Sequence, residues 1–136
     1  MRPIREIIIH CSATIEGKDF NAEDIDRWHR QRGWSGIGYH YVIPLNGAIE
    51  FGRPLDKIGA HCKGRNQGSI GICYIGGVDE NMNAKDTRTP QQKESLKQLV
   101  DSLKTAFGAD IKVFGHNQFS RKACPSFDVG AEFPND

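Results

Sequence analysis

Thr89-Pro90-Gln91-Gln92 is a complete helix start, with threonine at the N-cap, proline at the first helical position and glutamine at the third. Leu96, Leu99, Val100, Leu103 and Phe107 then recur at helical spacing along one face, and Gly108 stops the run. Two short β-branched runs bracket this helix, Ser69 to Ile75 before it and Ile111 to Gly115 after it. A strand, an amphipathic helix and a second strand within this span predict an α/β domain: a central mixed sheet flanked by helices on both faces.

The remaining segments fit that frame. Residues 6–11 read as a buried strand ending in His10-Cys11, and Ser12 to Phe20 as a polar loop. Asn21 caps a helix reaching about Gln31, with Glu23 and Asp24 at its positive end and Ile25, Trp28 and His29 turned inward. Tyr39-His40-Tyr41-Val42-Ile43 alternates as a strand with Tyr39, Tyr41 and Ile43 on one face, leaving His40 on the other as a hydrogen-bonded structural histidine. Asn46-Gly47 predicts a type I′ hairpin returning through Ile49–Gly52. Residues 79–88 are a polar excursion with no nameable chemistry. No repeat or linker divides residues 1–136, so one domain is expected.

Composition narrows the function. Apolar residues at 38% and charged ones at 26% suit a packed globular chain, and a net charge of +1 supplies no field to attract nucleic acid or anionic membrane. The longest apolar run is far short of a membrane span, and the N-terminus lacks the pattern of a signal peptide. A monomer synthesised in the cytoplasm without a leader is expected. Of the four cysteines, Cys73 reads as core and Cys11 and Cys62 as free thiols, since a chain of this size needs no disulfide staple.

Chemistry concentrates near the C-terminus, where Gly115-His116 and Lys122-Ala123-Cys124-Pro125 follow the last strand. With His10, at the end of the first strand, His116 and Cys124 make two imidazoles and a thiol. That is the number of protein ligands at a catalytic zinc, whose fourth position stays open to water. Spacing alone accommodates structural roles for all three equally well. No His-Glu-x-x-His helix is present, so the proton and the oxyanion need other groups.

Four blocks, Ile9-His10-Cys11-Ser12-Ala13-Thr14, Gly38-Tyr39-His40-Tyr41, Ser69-Ile70-Gly71-Ile72 and Lys122-Ala123-Cys124-Pro125-Ser126-Phe127-Asp128, resemble the signatures of the zinc-dependent N-acetylmuramoyl-L-alanine amidases. That family includes amidase-type phage lysozymes and peptidoglycan recognition proteins. The resemblance implies their fold, one zinc ion per chain on His10, His116 and Cys124, and hydrolysis of the amide joining N-acetylmuramic acid to L-alanine in peptidoglycan. It further implies an endolysin-like enzyme delivered to the wall. Tyr39 matches the family's active-site tyrosine and Lys122 the lysine two residues before its cysteine ligand. A phenol can orient water or pass a proton; an ammonium can stabilise an oxyanion, worth about 3 kcal/mol. The plain alternatives are a core tyrosine with a wet tip and a surface charge.

The glycine-rich segment around His61, Lys63 and Asn66 is either a solvated connector or, as the resemblance suggests, a wall of the substrate groove. The chain stops soon after Asp128, without the longer C-terminal helix of phage relatives. Rival functions are a non-catalytic peptidoglycan-binding module, a cysteine hydrolase using Cys11 or Cys124, and a regulatory protein acting through contacts alone.

Overall fold

Ile7, Ile8 and Ile9 are wholly buried because their strand has a partner on each side and cover on each face. The computed structural model describes residues 1–135. Its elements are β1 (Glu6–Cys11), β2 (Thr14–Ile15), α1 (Ala22–Gln31), β3 (Tyr41–Ile43), β4 (Glu50–Phe51), β5 (Ser69–Tyr74), β6 (Gly77–Val78), α2 (Pro90–Phe107), β7 (Lys112–Gly115) and α3 (Val129–Glu132). Five strands form one mixed sheet in the order β4-β3-β5-β1-β7, parallel except for the β3–β4 pair.

Side-chain parity divides the sheet. Ile7, Ile9 and Cys11 of β1 and Ile70, Ile72 and Tyr74 of β5 pack with Leu96, Leu99, Val100 and Leu103 of α2. The opposite parity carries Val42, Cys73 and Ile75 against Ile25 of α1. His10 belongs to this second set. Farther along the same face the segment 53–68 lies on the sheet, where Arg65 grips Glu6 through two hydrogen bonds of 2.8 and 2.9 Å and stacks 4.1 Å from the Phe119 ring centroid.

Both expected helix starts are present. Asn21 and Asp24 form a capping box, as do Thr89 and Gln92. Gln92 does more than cap: wholly buried, its amide donates to the carbonyls of Ile43 and Ile75, both at 3.0 Å, tying α2 to the ends of two strands.

Three local expectations are corrected. Tyr39 is not on the face of Tyr41 and Ile43, because β3 begins only at Tyr41. The Gly71 N–H, which would meet a strand carbonyl, donates instead to His40 Nδ1 at 3.0 Å, so the ladder ends there and Tyr39 turns to the α1 side. The turn after β3 is closed by Gly47 N donating to Pro44 O at 3.0 Å, which makes Leu45 and Asn46 its central residues. Only Gly47 has positive φ, so this is not a type I′ hairpin, and the returning strand is just Glu50–Phe51. The stretch expected as loop from Ser12 to Phe20 contains β2, which pairs in parallel with β6, just before the 79–88 excursion, to form a second ribbon beyond the β1–β5 pair.

Candidate metal centre and cleft

His10, the penultimate residue of β1, is buried on the α1 face, and β7 delivers His116 into a single 3-10 turn, His116–Gln118. Cys124 arrives from the following loop, which is pinned from three directions. The Tyr74 hydroxyl donates to Pro125 O at 2.6 Å, the Ser126 hydroxyl to Gly77 O at 2.7 Å, and the Asn117 amide to Ala123 O at 3.4 Å. The Cys124–Pro125 peptide is cis.

The result is a cluster whose donor atoms, one each from His10, His116 and Cys124, all lie within 4.8 Å of one another. Cys124 Sγ is 3.8 Å from His10 Nδ1. Around a tetrahedral zinc a nitrogen and a sulfur ligand stand about 3.6 Å apart, from bond lengths near 2.0 and 2.3 Å. His10 Nε2 is engaged elsewhere, 2.9 Å from His61 Nδ1, so Nδ1 is the atom it turns to the cluster. All four cysteines are free thiols.

The electrostatics suit a cation. Burial, reinforced by His61 and His116, pushes His10 well below the ordinary imidazole range. Burial and then the Lys122 ammonium lower His116. Both rings are therefore neutral at pH 7, with lone pairs available. A shared hydrogen bond with the Cys11 thiol, and burial, push the Cys124 thiol up, so its sulfur keeps a proton until a positive charge displaces it. The Cys11 backbone N–H already donates to that sulfur at 3.2 Å.

Tyr39 packs against this centre with its ring centroid 5.0 Å from that of His10. Burial, and the nearby cysteines, hold its phenol well above its ordinary value, so the hydroxyl keeps its proton through neutral pH. Its backbone is fixed from α1: His29, buried, accepts the Gly38 N–H on Nδ1 at 3.0 Å. A side chain on Gly38 would meet the Ala60 carbonyl, so only glycine fits.

Outside the cluster opens a cleft of about 540 Å³, lined by His61, Lys63, Asn66, His116 and Lys122 together with Trp34 and Phe119. All three residues expected as groove wall thus border it. Asn66 has a structural duty as well, its Oδ1 accepting the N–H groups of His61 and Cys62, both at 2.9 Å. Trp34 and Phe119, 41% and 36% exposed, escaped the sequence reading. Neither lies in a periodic run, and only the fold brings them to one opening. His40 is the structural histidine expected, donating from Nε2 to Lys57 O at 2.9 Å. Cys11 is buried in the α2-side core, which leaves it no approach to a substrate.

A metal ion held by these three donors beside an open polar cleft would keep one position for water, the arrangement of a hydrolytic site and not of a structural clip. The family described as N-acetylmuramoyl-L-alanine amidase matches residues 1–127, and this chain belongs to it. The endolysin of Klebsiella phage KP32 is 39% identical over 124 residues, spanning 91% of this chain and 82% of the relative. Among solved structures, the N-acetylmuramoyl-L-alanine amidase LysC from Clostridium intestinale superposes with a TM-score of 0.82 at 28% identity, covering 99% of this chain and 88% of that one. Wild-type Drosophila peptidoglycan-recognition protein LB gives 0.79 at 29% identity, covering 97% and 80%. The enzyme is an amidase of peptidoglycan.

Proposed function

We propose that the chain hydrolyses the bond between N-acetylmuramic acid and L-alanine with one zinc ion held by His10 Nδ1, His116 and Cys124. The observation that carries this reading is the convergence of those three donors within 4.8 Å, two of them neutral imidazoles. Zinc bound there supplies Lewis acidity, polarising a carbonyl and making water acidic enough to attack near neutral pH. The protein's own groups do the rest. The protonated Tyr39 hydroxyl, anchored through Gly38 and His29, donates a hydrogen bond to water or to the departing nitrogen. Lys122, on the cleft rim beside His116, offers its ammonium to the oxygen that gains charge as the carbonyl is attacked.

The cleft is open and lined by polar side chains along with two aromatic faces, as a glycan-peptide requires. Lys63 and the exposed edge of Asn66 meet peptide carbonyls and carboxylates, while Trp34 offers an apolar face to a sugar ring or its acetyl group. No helix among the described residues is long and apolar enough to cross a membrane.

The test is mass spectrometry of purified peptidoglycan after digestion, with and without a chelator. Stem peptides with a free L-alanine amino group, abolished by chelation and restored by zinc, are the expected products. Released disaccharides would overturn the bond assignment. Activity indifferent to chelation would move catalysis to the Cys124–His10 pair as a cysteine hydrolase.

A further inference from the structure

His61 is in contact with His10 as well as with the cleft. Its Nδ1 lies 2.9 Å from His10 Nε2, and its Nε2 lies 3.3 Å from the Ser69 hydroxyl. Hydrogen-bond logic orders this chain once His10 commits Nδ1 to a cation. The His10 proton must then sit on Nε2 and be donated to His61 Nδ1; the His61 proton sits on Nε2 and is donated to Ser69 Oγ.

The ring of His61 is also held to that orientation. It lies over Gly71 of β5 and against Gly59: a Cβ at Gly71 would stand 2.6 Å from His61 Cδ2, and one at Gly59 2.7 Å from the same atom. Its own backbone N–H is fixed by Asn66 Oδ1 at 2.9 Å. A groove wall that only touched substrate would need neither two side-chain-free neighbours behind the ring nor a serine at its far nitrogen.

We infer that His61 is a positioning residue for the metal centre, fixing the tautomer and ring angle of His10 through a His10–His61–Ser69 hydrogen-bond chain. The inference rests on the zinc reading of His10, His116 and Cys124. Partners of this kind ordinarily contribute about ten- to a hundredfold in metal affinity. Here the acceptor is a neutral imidazole where a carboxylate is common, so no further negative charge enters a site that already uses a thiolate.

The experiment measures zinc affinity of the full chain by competition with a chromogenic chelator, independently of catalysis. His61→Leu should bind zinc about ten- to a hundredfold more weakly. His61→Asn, whose Oδ1 takes the place of Nδ1, should recover most of that loss, as a simple packing role would not predict. Zinc affinity within twofold of the parent in His61→Leu overturns the inference and leaves the metal centre standing. A parent chain that binds no zinc overturns both. Should His61→Leu fail to fold, the unaltered zinc-loaded protein decides by nitrogen-15 NMR: a His10 Nε2–H coupled to His61 Nδ1 supports the chain, and a solvent-exchanging one overturns it.

Discussion

Cys124 Sγ lies 3.8 Å from His10 Nδ1, although 114 positions separate the two residues in the chain. Each side of that contact has its own support. His10 is fixed by the parity of a strand paired on both sides, and Cys124 by a loop that Tyr74, Ser126 and Asn117 pin to the rest of the fold. Placement by a rigid sheet and a tethered loop keeps the donors preorganised for a cation.

Tyr39→Phe removes one hydroxyl from a ring that packs beside His10. Zinc content should stay at the parent level, while kcat falls by about 100-fold. Parallel metal analysis and turnover assays on a soluble muropeptide check this. Unchanged kcat would return Tyr39 to a packing role.

Lys122→Met should likewise lower kcat by about 100-fold, since an oxyanion would lose its charged donor. Lys122 is exposed, so the midpoint of chemical unfolding should not move. A rise in KM alone, with kcat intact, would make Lys122 a substrate-binding group instead.

His40 gives the fold a pH dependence whose sign follows from linkage. Burial lowers its folded pKa to about 4 from an ordinary 6.5. Between those values the unfolded chain binds more protons, so stability is complete above pH 6.5 and declines as pH falls toward 4. The contribution is of the order of 3 kcal/mol, at 1.36 kcal/mol per pKa unit. His29, also lowered by burial, acts in the same direction. Urea unfolding of chelated protein from pH 4.5 to 7 should show this slope, and His40→Asn should make it shallower without removing it, because His10, His61 and His116, each lowered by burial, act in the same direction. Parallel curves for parent and variant would contradict the assignment.

Gln92→Glu keeps the oxygen that accepts the Thr89 N–H but puts a carboxylate where an amide donated to Ile43 O and Ile75 O. It should destabilise the fold by about 3 kcal/mol or more, measured by denaturant midpoint, because two buried carbonyls then face an acceptor. A loss below about 1 kcal/mol would mean that the strand ends find other donors.

What was legible in the chain was what neighbours in sequence decide. The capping residues Asn21 and Thr89 announced both long helices, and the β-branched run before His10 announced β1. The three donors were legible as types, two histidines where strands end and a cysteine in the loop after the last strand. What escaped depends on partners distant in sequence. Tyr39 changes face because an imidazole nitrogen of His40 replaces a main-chain acceptor for Gly71. The double duty of Gln92 needs two strand ends beside it, and β2 and β6 are too short to carry any alternation. Trp34 and Phe119 become cleft residues only when two loops meet.

X-ray absorption at the zinc edge of the purified, zinc-loaded chain tests the central claim most directly. One zinc per chain, with a single sulfur at about 2.3 Å and three nitrogen or oxygen neighbours at about 2.0 Å, is the predicted first shell, and Cys124→Ala should erase the sulfur. A shell without sulfur, or one whose sulfur survives that substitution, would contradict a centre built from His10, His116 and Cys124.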